Sequence, residues 1–473
     1  MSYAKGFGWN LAFNFVAKLV TPIVALLIMR RLSPNVFGMY AILQAALMVA
    51  DAVRDAGVAQ VYLKETREDV EPTYVAMAVR LGLGLGVALA FLAWPAAAFY
   101  GRPELAAGLG FTAAAMALNG LSTVPYVKLL RRGDFRRAGQ AETLASVASS
   151  LYALAAVHLG LGFLALATQL VLRALLFLSI TQVWAPTKLR WRGPAVEQRT
   201  ARTSRTLTAV NLLWTGYFMA DQAVVGKLIG LTAGGLYGSG KMFVQTADVL
   251  AKPIMQTANV AFAHRSADPD AIGRTLHKSL AAFLLGVAPI YVGVALFAEP
   301  LVRTLLPASY HATASVLPAL CFYGAAIYPG SFGGSALLMI DRPDVALRSW
   351  IAVAVLVAAI LFAAGSALSL VGVAWLFAIG LALVNTVTLA VALARFRPDA
   401  EARANLFRGV ASVLVVAGIA AVLARAPLSD ALRLGLAVLI LPLAHVIMVG
   451  SLTVRRPFAL FHPAGIREVW SRL

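Results

Sequence analysis

Two sets of ionic residues sit where an apolar chain has little ordinary use for them. Residues 48–61, MVADAVRDAGVAQV, carry Asp51, Arg54 and Asp55 among alanine, valine and glycine, with long apolar runs on either side. Farther on, Lys241, Asp248 and Lys252 interrupt a second such run, with Gln245 among them. Gln44, Asp51 and Asp55 follow offsets of zero, seven and eleven, and so do Lys241, Asp248 and Lys252: one face of an α-helix. Asn10, Asn14, Lys18 and Thr21 form a comparable stripe, as do Thr208, Asn211, Thr215 and Gln222, with Asp221 beside them. Guanidinium and ammonium groups so placed can hold an anion through charge-assisted hydrogen bonds. Isolated carboxylates can take a coupling proton or cation, or a structural hydrogen bond, which for Asp221 would come from helix one or eight.

A charge at mid-bilayer costs roughly 2.5–3.5 kcal/mol on insertion scales. Lys18, Asp51, Arg54, Asp55, Arg80, Arg173, Asp221, Lys241, Asp248 and Lys252 would together cost about 25–35 kcal/mol facing lipid. They must therefore face protein or water. One outcome is mutual pairing, since Arg54 reaches Asp51 and Asp248 is one turn from Lys252. The other is a wet cavity, whose surplus of cations over anions suits an anionic passenger.

The elements that carry these residues are apolar helices. The chain has 473 residues, 60% hydrophobic and 13% charged, against roughly a quarter charged in soluble domains. Fourteen segments are long enough to span a membrane: 9–31, 36–61, 73–100, 104–127, 139–158, 160–184, 205–229, 233–262, 279–306, 313–340, 345–367, 370–394, 408–425 and 431–453. The first lacks the cleavage site of a signal peptide. Most of the 40 lysines and arginines fall in alternate gaps. Arg30, Arg31, Arg102, Lys227, Arg303, Arg425 and Arg433 are left on the opposite side, so both termini are expected in the cytoplasm. The net charge of +19 thus reads as membrane topology rather than nucleic-acid binding. No external loop has room for a catalytic domain.

A shift of 197 residues superposes the first two segments on the seventh and eighth. Asn14 meets Asn211, Arg30 meets Lys227, GMY at 38–40 meets GLY at 235–237, and AD at 50–51 meets AD at 247–248. Such internal similarity marks a transporter built of two like halves. The expected organisation is an all-α polytopic membrane protein: a six-helix lobe at 1–184, a basic cytoplasmic linker at 185–204, a second six-helix lobe at 205–394, an extra helix pair at 408–453 and a tail at 454–473.

Three stretches carry a family resemblance: RRLSPNVFGMYAILQ at 30–44 with DAVRDAGV after it, ADQAVVGKLIGLTAGGLYGSGKM at 220–242, and LVRTLLPASYHATASVLPAL at 301–320. They resemble the polysaccharide-exporter branch of the multidrug/oligosaccharidyl-lipid/polysaccharide (MOP) superfamily, the Wzx-like lipid-linked oligosaccharide flippases. The resemblance implies two pseudo-symmetric six-helix bundles, MATE-like, forming a V around a central cavity. It also implies alternating-access transport of a polyprenyl-diphosphate-linked glycan across the bacterial cytoplasmic (inner) membrane. No chemical bond changes, and no cofactor or metal is expected. Basic residues on helices one, two and eight engage the diphosphate in such flippases, and Lys18, Arg54 and Lys252 lie on those helices here. Lys241, Arg80 and Arg173 join them as substrate-binding candidates. Asn14, Asp51, Asp55, Asn211, Asp221, Gln245 and Asp248 would supply the cavity's polar and coupling groups. The last two helices can form a groove for the lipid tail. The expected partners are the glycan lipid, membrane lipids and polysaccharide polymerase or other assembly proteins, around a monomer. Competing readings are a cation-coupled drug exporter of the same superfamily and an integral membrane glycan polymerase or ligase.

Other motifs read as packing. GLYGSGKM at 235–242 approaches a nucleotide-binding loop, but Met242 replaces the required hydroxyl. Gly82 and Gly86 in GLGLG form a G-x-x-x-G contact face. The histidines lack metal-ligand spacing, and Cys321 is the one cysteine. Pro22, Pro253, Pro289, Pro318 and Pro329 fall inside predicted helices, where each removes a hydrogen bond. IYPGSFGGS at 327–335, with Pro329, Gly330, Gly333 and Gly334, is the hinge candidate. The basic run KLLRRGDFRR at 128–137 would fix topology, contact anionic lipid or capture the diphosphate lipid.

Overall fold

The computed structural model describes residues 20–59, 62, 70–188, 190, 212, 215–264, 268–340, 342 and 344–454. Among these, all regular structure is helical. We number the long helices α1 (Val20–Met29), α2 (Pro34–Arg54), α3 (Glu71–Tyr100), α4 (Glu104–Arg131), α5 (Phe135–His158), α6 (Phe163–Trp184) and α7 (215–228). Then follow α8 (Leu231–His264), α9 (Pro269–Leu296), α10 (Thr313–Leu338), α11 (Asp344–Ala364), α12 (Leu370–Arg395), α13 (Ala400–Arg425) and α14 (Asp430–Val454). Among the described residues, 10 helices are long and apolar enough to cross a membrane. The remaining four, α1, α5, α7 and α8, fall where the sequence reading placed segments one, five, seven and eight. In α5 and α8 part of the apolar surface gives way to buried polar residues: Thr143, Ser149 and Ser150, and Ser239, Lys241 and Asp248.

Helix boundaries depart from the sequence reading where polar caps intervene. The ninth segment was expected from 279, but α9 begins at Pro269 because the Asp268 carboxylate accepts hydrogen bonds from the backbone of Asp270 and Ala271. It breaks at Val287, so Pro289 opens a new helical piece instead of kinking a continuous one. Residues expected at its end form a separate short helix, Ala298–Leu305, with Arg303 paired to Glu299 at 2.5 Å. Helix α13 likewise starts at Ala400, not 408, since Asp399 accepts from Ala402 N at 2.7 Å. Such caps contribute about 1 kcal/mol each. Pro253 lies inside α8, and Pro318 and Pro329 inside α10, without ending either helix. Segment two ends in a π-helical turn, Asp55–Ala59, directly after its charged residues.

The chain divides into two compact units, Met1–Gly238 and Ser239–Leu473. The division falls inside α8 and not at the basic linker, because α7 and the start of α8 pack on the N-terminal helices. A Cβ on Gly38 would lie 1.9 Å from Leu231 O, and one on Gly235 would lie 1.8 Å from Pro34 O, so these backbones touch. Lys227 donates to Phe99 O and sits over the Phe99 ring, while Tyr100 donates to Ala223 O at 3.2 Å. Within the same unit, α3 meets α4 through Gly82 and Gly120, where a Cβ on either would stand 2.6 Å from the other's Cα. Lipid chains are as apolar as leucine, so close backbone approach of this kind supplies the packing energy that water exclusion provides in soluble proteins.

The C-terminal unit has its own dense seam. Gly330 and Gly333 of α10 lie against Asn385 and Leu389 of α12. Phe283, Tyr291, Tyr328 and Phe332 form a buried aromatic cluster between α9 and α10. Gly409 of α13 packs on Leu284, and Ser412 and His445 hydrogen-bond across the α13–α14 pair at 3.1 Å.

Candidate functional site: ionic clusters on α2 and α8

Helix α2 presents its charges in the last turn. Arg54 there suits the partial negative charge of a helix C-terminus, whereas Asp51 and Asp55 oppose it and need a partner. Arg54 supplies it. Its Nη1 lies 2.6 Å from Asp51 Oδ1, and its Nε and Nη2 converge on Asp55 Oδ1 at 2.9 and 2.6 Å. The guanidinium is deeply placed, 12% exposed, whereas Asp51 is 27% and Asp55 47% exposed. Asn119 of α4 donates to Asp51 Oδ1 at 3.4 Å. Arg173 of α6 acts electrostatically on Asp51 and on Tyr40, whose hydroxyl accepts from Gln44 Nε2 at 2.9 Å. The charges singled out in MVADAVRDAGVAQV thus compensate one another, and the trio holds one carboxylate more than its cation. The surplus of positive charge counted along the whole sequence does not arise at this cluster.

The second cluster has a different chemistry. Asp248 of α8 accepts from Tyr291 Oη on α9 at 2.7 Å. Lys252 Nζ stands 3.9 Å from Asp248 Oδ2, and its side chain is 54% exposed. Lys241 is buried, its ammonium 5.8 Å from the centroid of the Tyr323 ring. Gln245 lies exposed on the same helix. The two aspartates related by the 197-residue repeat therefore share a wiring rule. Each takes a hydrogen bond from an uncharged side chain of another helix, from Asn119 of α4 and Tyr291 of α9 respectively, and each has a cation on its own helix.

Each of the other described candidate charges has its own partner. Arg80 is exposed and its Nε donates to Ala76 O at 3.1 Å; Arg173 is exposed and donates to Ser146 Oγ at 3.3 Å. Asp221 is fully buried, accepting from Tyr237 Oη on α8 at 2.8 Å and from Gln222 N at 2.6 Å. Lys18, Asn14 and Asn211 lie outside the described residues. Pro329, Gly330, Gly333 and Gly334 fall in the uninterrupted α10, where a Cβ on Gly330 would stand 2.4 Å from Asn385 Cα.

GLYGSGKM lies within α8, and its Gly235 and Gly240 serve contact, the latter against Leu320. Gly82 and Gly86 pack on Gly120 and Ala113 of α4. No cluster of metal-binding side chains occurs among the described residues. The basic run at 128–137 is partly engaged: Lys128 pairs with Glu71 at 2.9 Å, Arg131 covers the Tyr62 ring at 4.5 Å, and Arg137 lies 3.5 Å from Asp134. Asn119 and Tyr291 escaped sequence reasoning, which weighed charges. A search for uncharged hydrogen-bonding side chains inside apolar segments would have included them.

Long apolar helices mark a multi-pass membrane protein, and ionic groups recur on the corresponding helices of its internal repeat. Residues 27–315 match a family described as "Polysaccharide biosynthesis protein", and the chain belongs to that family. It is 24% identical over 311 residues to the succinoglycan biosynthesis transport protein ExoT of Rhizobium meliloti (strain 1021). That similarity covers 64% of this chain and 62% of the relative, so the chain spans less than two thirds of that protein's length. Among solved structures, the lipid II flippase MurJ in an inward closed conformation superposes with a TM-score of 0.73 at 14% identity, covering 94% of this chain and 98% of that one. An inward-facing multidrug resistance MATE family transporter of the MOP superfamily gives 0.58 at 15% identity over 81% and 98%. These likenesses establish a MurJ/MATE-type fold.

Proposed function

We propose that the chain is a flippase that carries a polyprenyl-diphosphate-linked oligosaccharide or polysaccharide unit across the cytoplasmic membrane by alternating access. One observation carries the reading: Arg54, a planar donor matched to phosphate oxygens, is held only 12% exposed in the last turn of a membrane-length helix of a polysaccharide-biosynthesis protein. Lys252, more exposed and only loosely paired at 3.9 Å, provides a second cation on the repeat-related helix. The diphosphate would take charge-assisted hydrogen bonds from Arg54 while the glycan stays in water and the lipid tail in the bilayer. Lys18, Lys241, Arg80 and Arg173 are further substrate-binding candidates, Asp221 and Asp248 candidates for ion coupling, and residues 329–334 for bending.

Arg54→Ala and Lys252→Ala, checked for normal membrane abundance, are expected to abolish export and leave lipid-linked units on the cytoplasmic side. Normal export by both variants would refute the assigned site. A second reading draws on the excess carboxylate of the α2 cluster, which suits a cationic drug. It requires efflux of cationic dyes that falls with Asp51→Asn and Asp55→Asn while glycan export persists.

A further inference from the structure

We infer that Asp55 is an intramolecular stand-in for the substrate's phosphate, occupying the edge of Arg54 that the phosphate takes. The inference rests on the proposed anion site at Arg54. A guanidinium offers its Nε and one Nη as parallel donors to a single oxyanion group. In Arg54 that edge is filled by Asp55, and the remaining Nη1 is taken by Asp51.

The two carboxylates are not equivalent. Asp51 has a second anchor, the Asn119 amide of α4, and it keeps Nη1 fixed. Asp55 is the more exposed of the pair and stands where α2 gives way to the π-helical turn Asp55–Ala59. Single π turns inside α-helices recur at functional sites. Rotation of the Asp55 side chain vacates the Nε/Nη2 edge while Asp51 keeps Arg54 aimed. An arriving phosphate then replaces one charge-assisted pair with another. Binding is weaker than at a bare arginine, and release is correspondingly easier because Asp55 returns.

The test uses the purified full-length protein in nanodiscs, with polyprenyl diphosphate as the probe and polyprenyl alcohol as the control. Asp55→Asn and Asp55→Ala are expected to bind the diphosphate roughly tenfold more tightly than the unaltered chain, the worth of one charge-assisted hydrogen bond. Asp51→Asn, which removes the anchor, should bind more weakly, and Arg54→Ala should lose binding. A gain in affinity cannot come from misfolding. Unchanged or weaker binding by both Asp55 variants, with Arg54→Ala still defective, overturns the stand-in and leaves the flippase reading intact. Equal binding by Arg54→Ala, or no preference for the diphosphate over the alcohol, overturns the anion site and the inference with it.

Discussion

Removing Arg54 alone should do two separable kinds of damage. The side chain makes contacts of 2.6 Å to each of two carboxylates, with a second donor to Asp55 at 2.9 Å. Breaking a fully buried pair by deleting one partner costs about 3–5 kcal/mol, because an uncompensated charge stays behind. Asp51 and Asp55 are 27% and 47% exposed, so water screens part of that penalty. Discounting for it places Arg54→Ala at about 2–3 kcal/mol of destabilisation. The triple variant Arg54→Ala, Asp51→Asn, Asp55→Asn carries no charge at the cluster and should recover most of that loss. It should not recover export, since no guanidinium remains. Thermal unfolding followed by size-exclusion in detergent reads the first quantity, and accumulation of lipid-linked units in cells reads the second. Two results would refute the reasoning: unaltered stability in Arg54→Ala, or restored export in the neutral triple variant.

Two further outcomes follow from the packing. Gly82→Leu drives a side chain into Gly120, where even a Cβ would stand 2.6 Å from Cα; overpacking of about 1–3 kcal/mol should lower the unfolding temperature, whereas Gly84→Leu, with nothing within 4 Å, should not. Tyr291→Phe removes a 2.7 Å hydrogen bond to a buried carboxylate and should cost about 1.5–3 kcal/mol, much of it regained in the double variant with Asp248→Asn, as a double-mutant cycle in the same unfolding assay would show.

Much of the architecture was legible in the chain because membrane helices announce themselves. Water-free surroundings oblige the backbone to bond within each segment, so apolar length alone located the helices. The family resemblance was carried by glycine, proline and charge positions such as Gly38, Gly235 and Asp51. Their equivalence at a shift of 197 residues was readable without coordinates. Boundaries were less legible. Asp268 and Asp399 extend α9 and α13 into polar sequence, a local capping effect that hydropathy does not register.

The ionic residues mark the limit of sequence reading. Spacing placed Gln44, Asp51 and Asp55 on one helical face and Lys241, Asp248 and Lys252 on another, with Arg54 beside the first; these charges must avoid lipid, and pairing and a wet cavity both stayed open. Only the folded chain decides that Arg54 is clamped by two carboxylates while Lys252 stands largely exposed. Only it brings Asn119 beside Asp51, and Tyr291 beside Asp248. The physical reason is range. Helix formation and hydropathy are summed over neighbours in sequence, but the environment of a buried charge is set by side chains from helices tens of residues away. Those partners are uncharged as often as charged, and they become visible once the helices have packed.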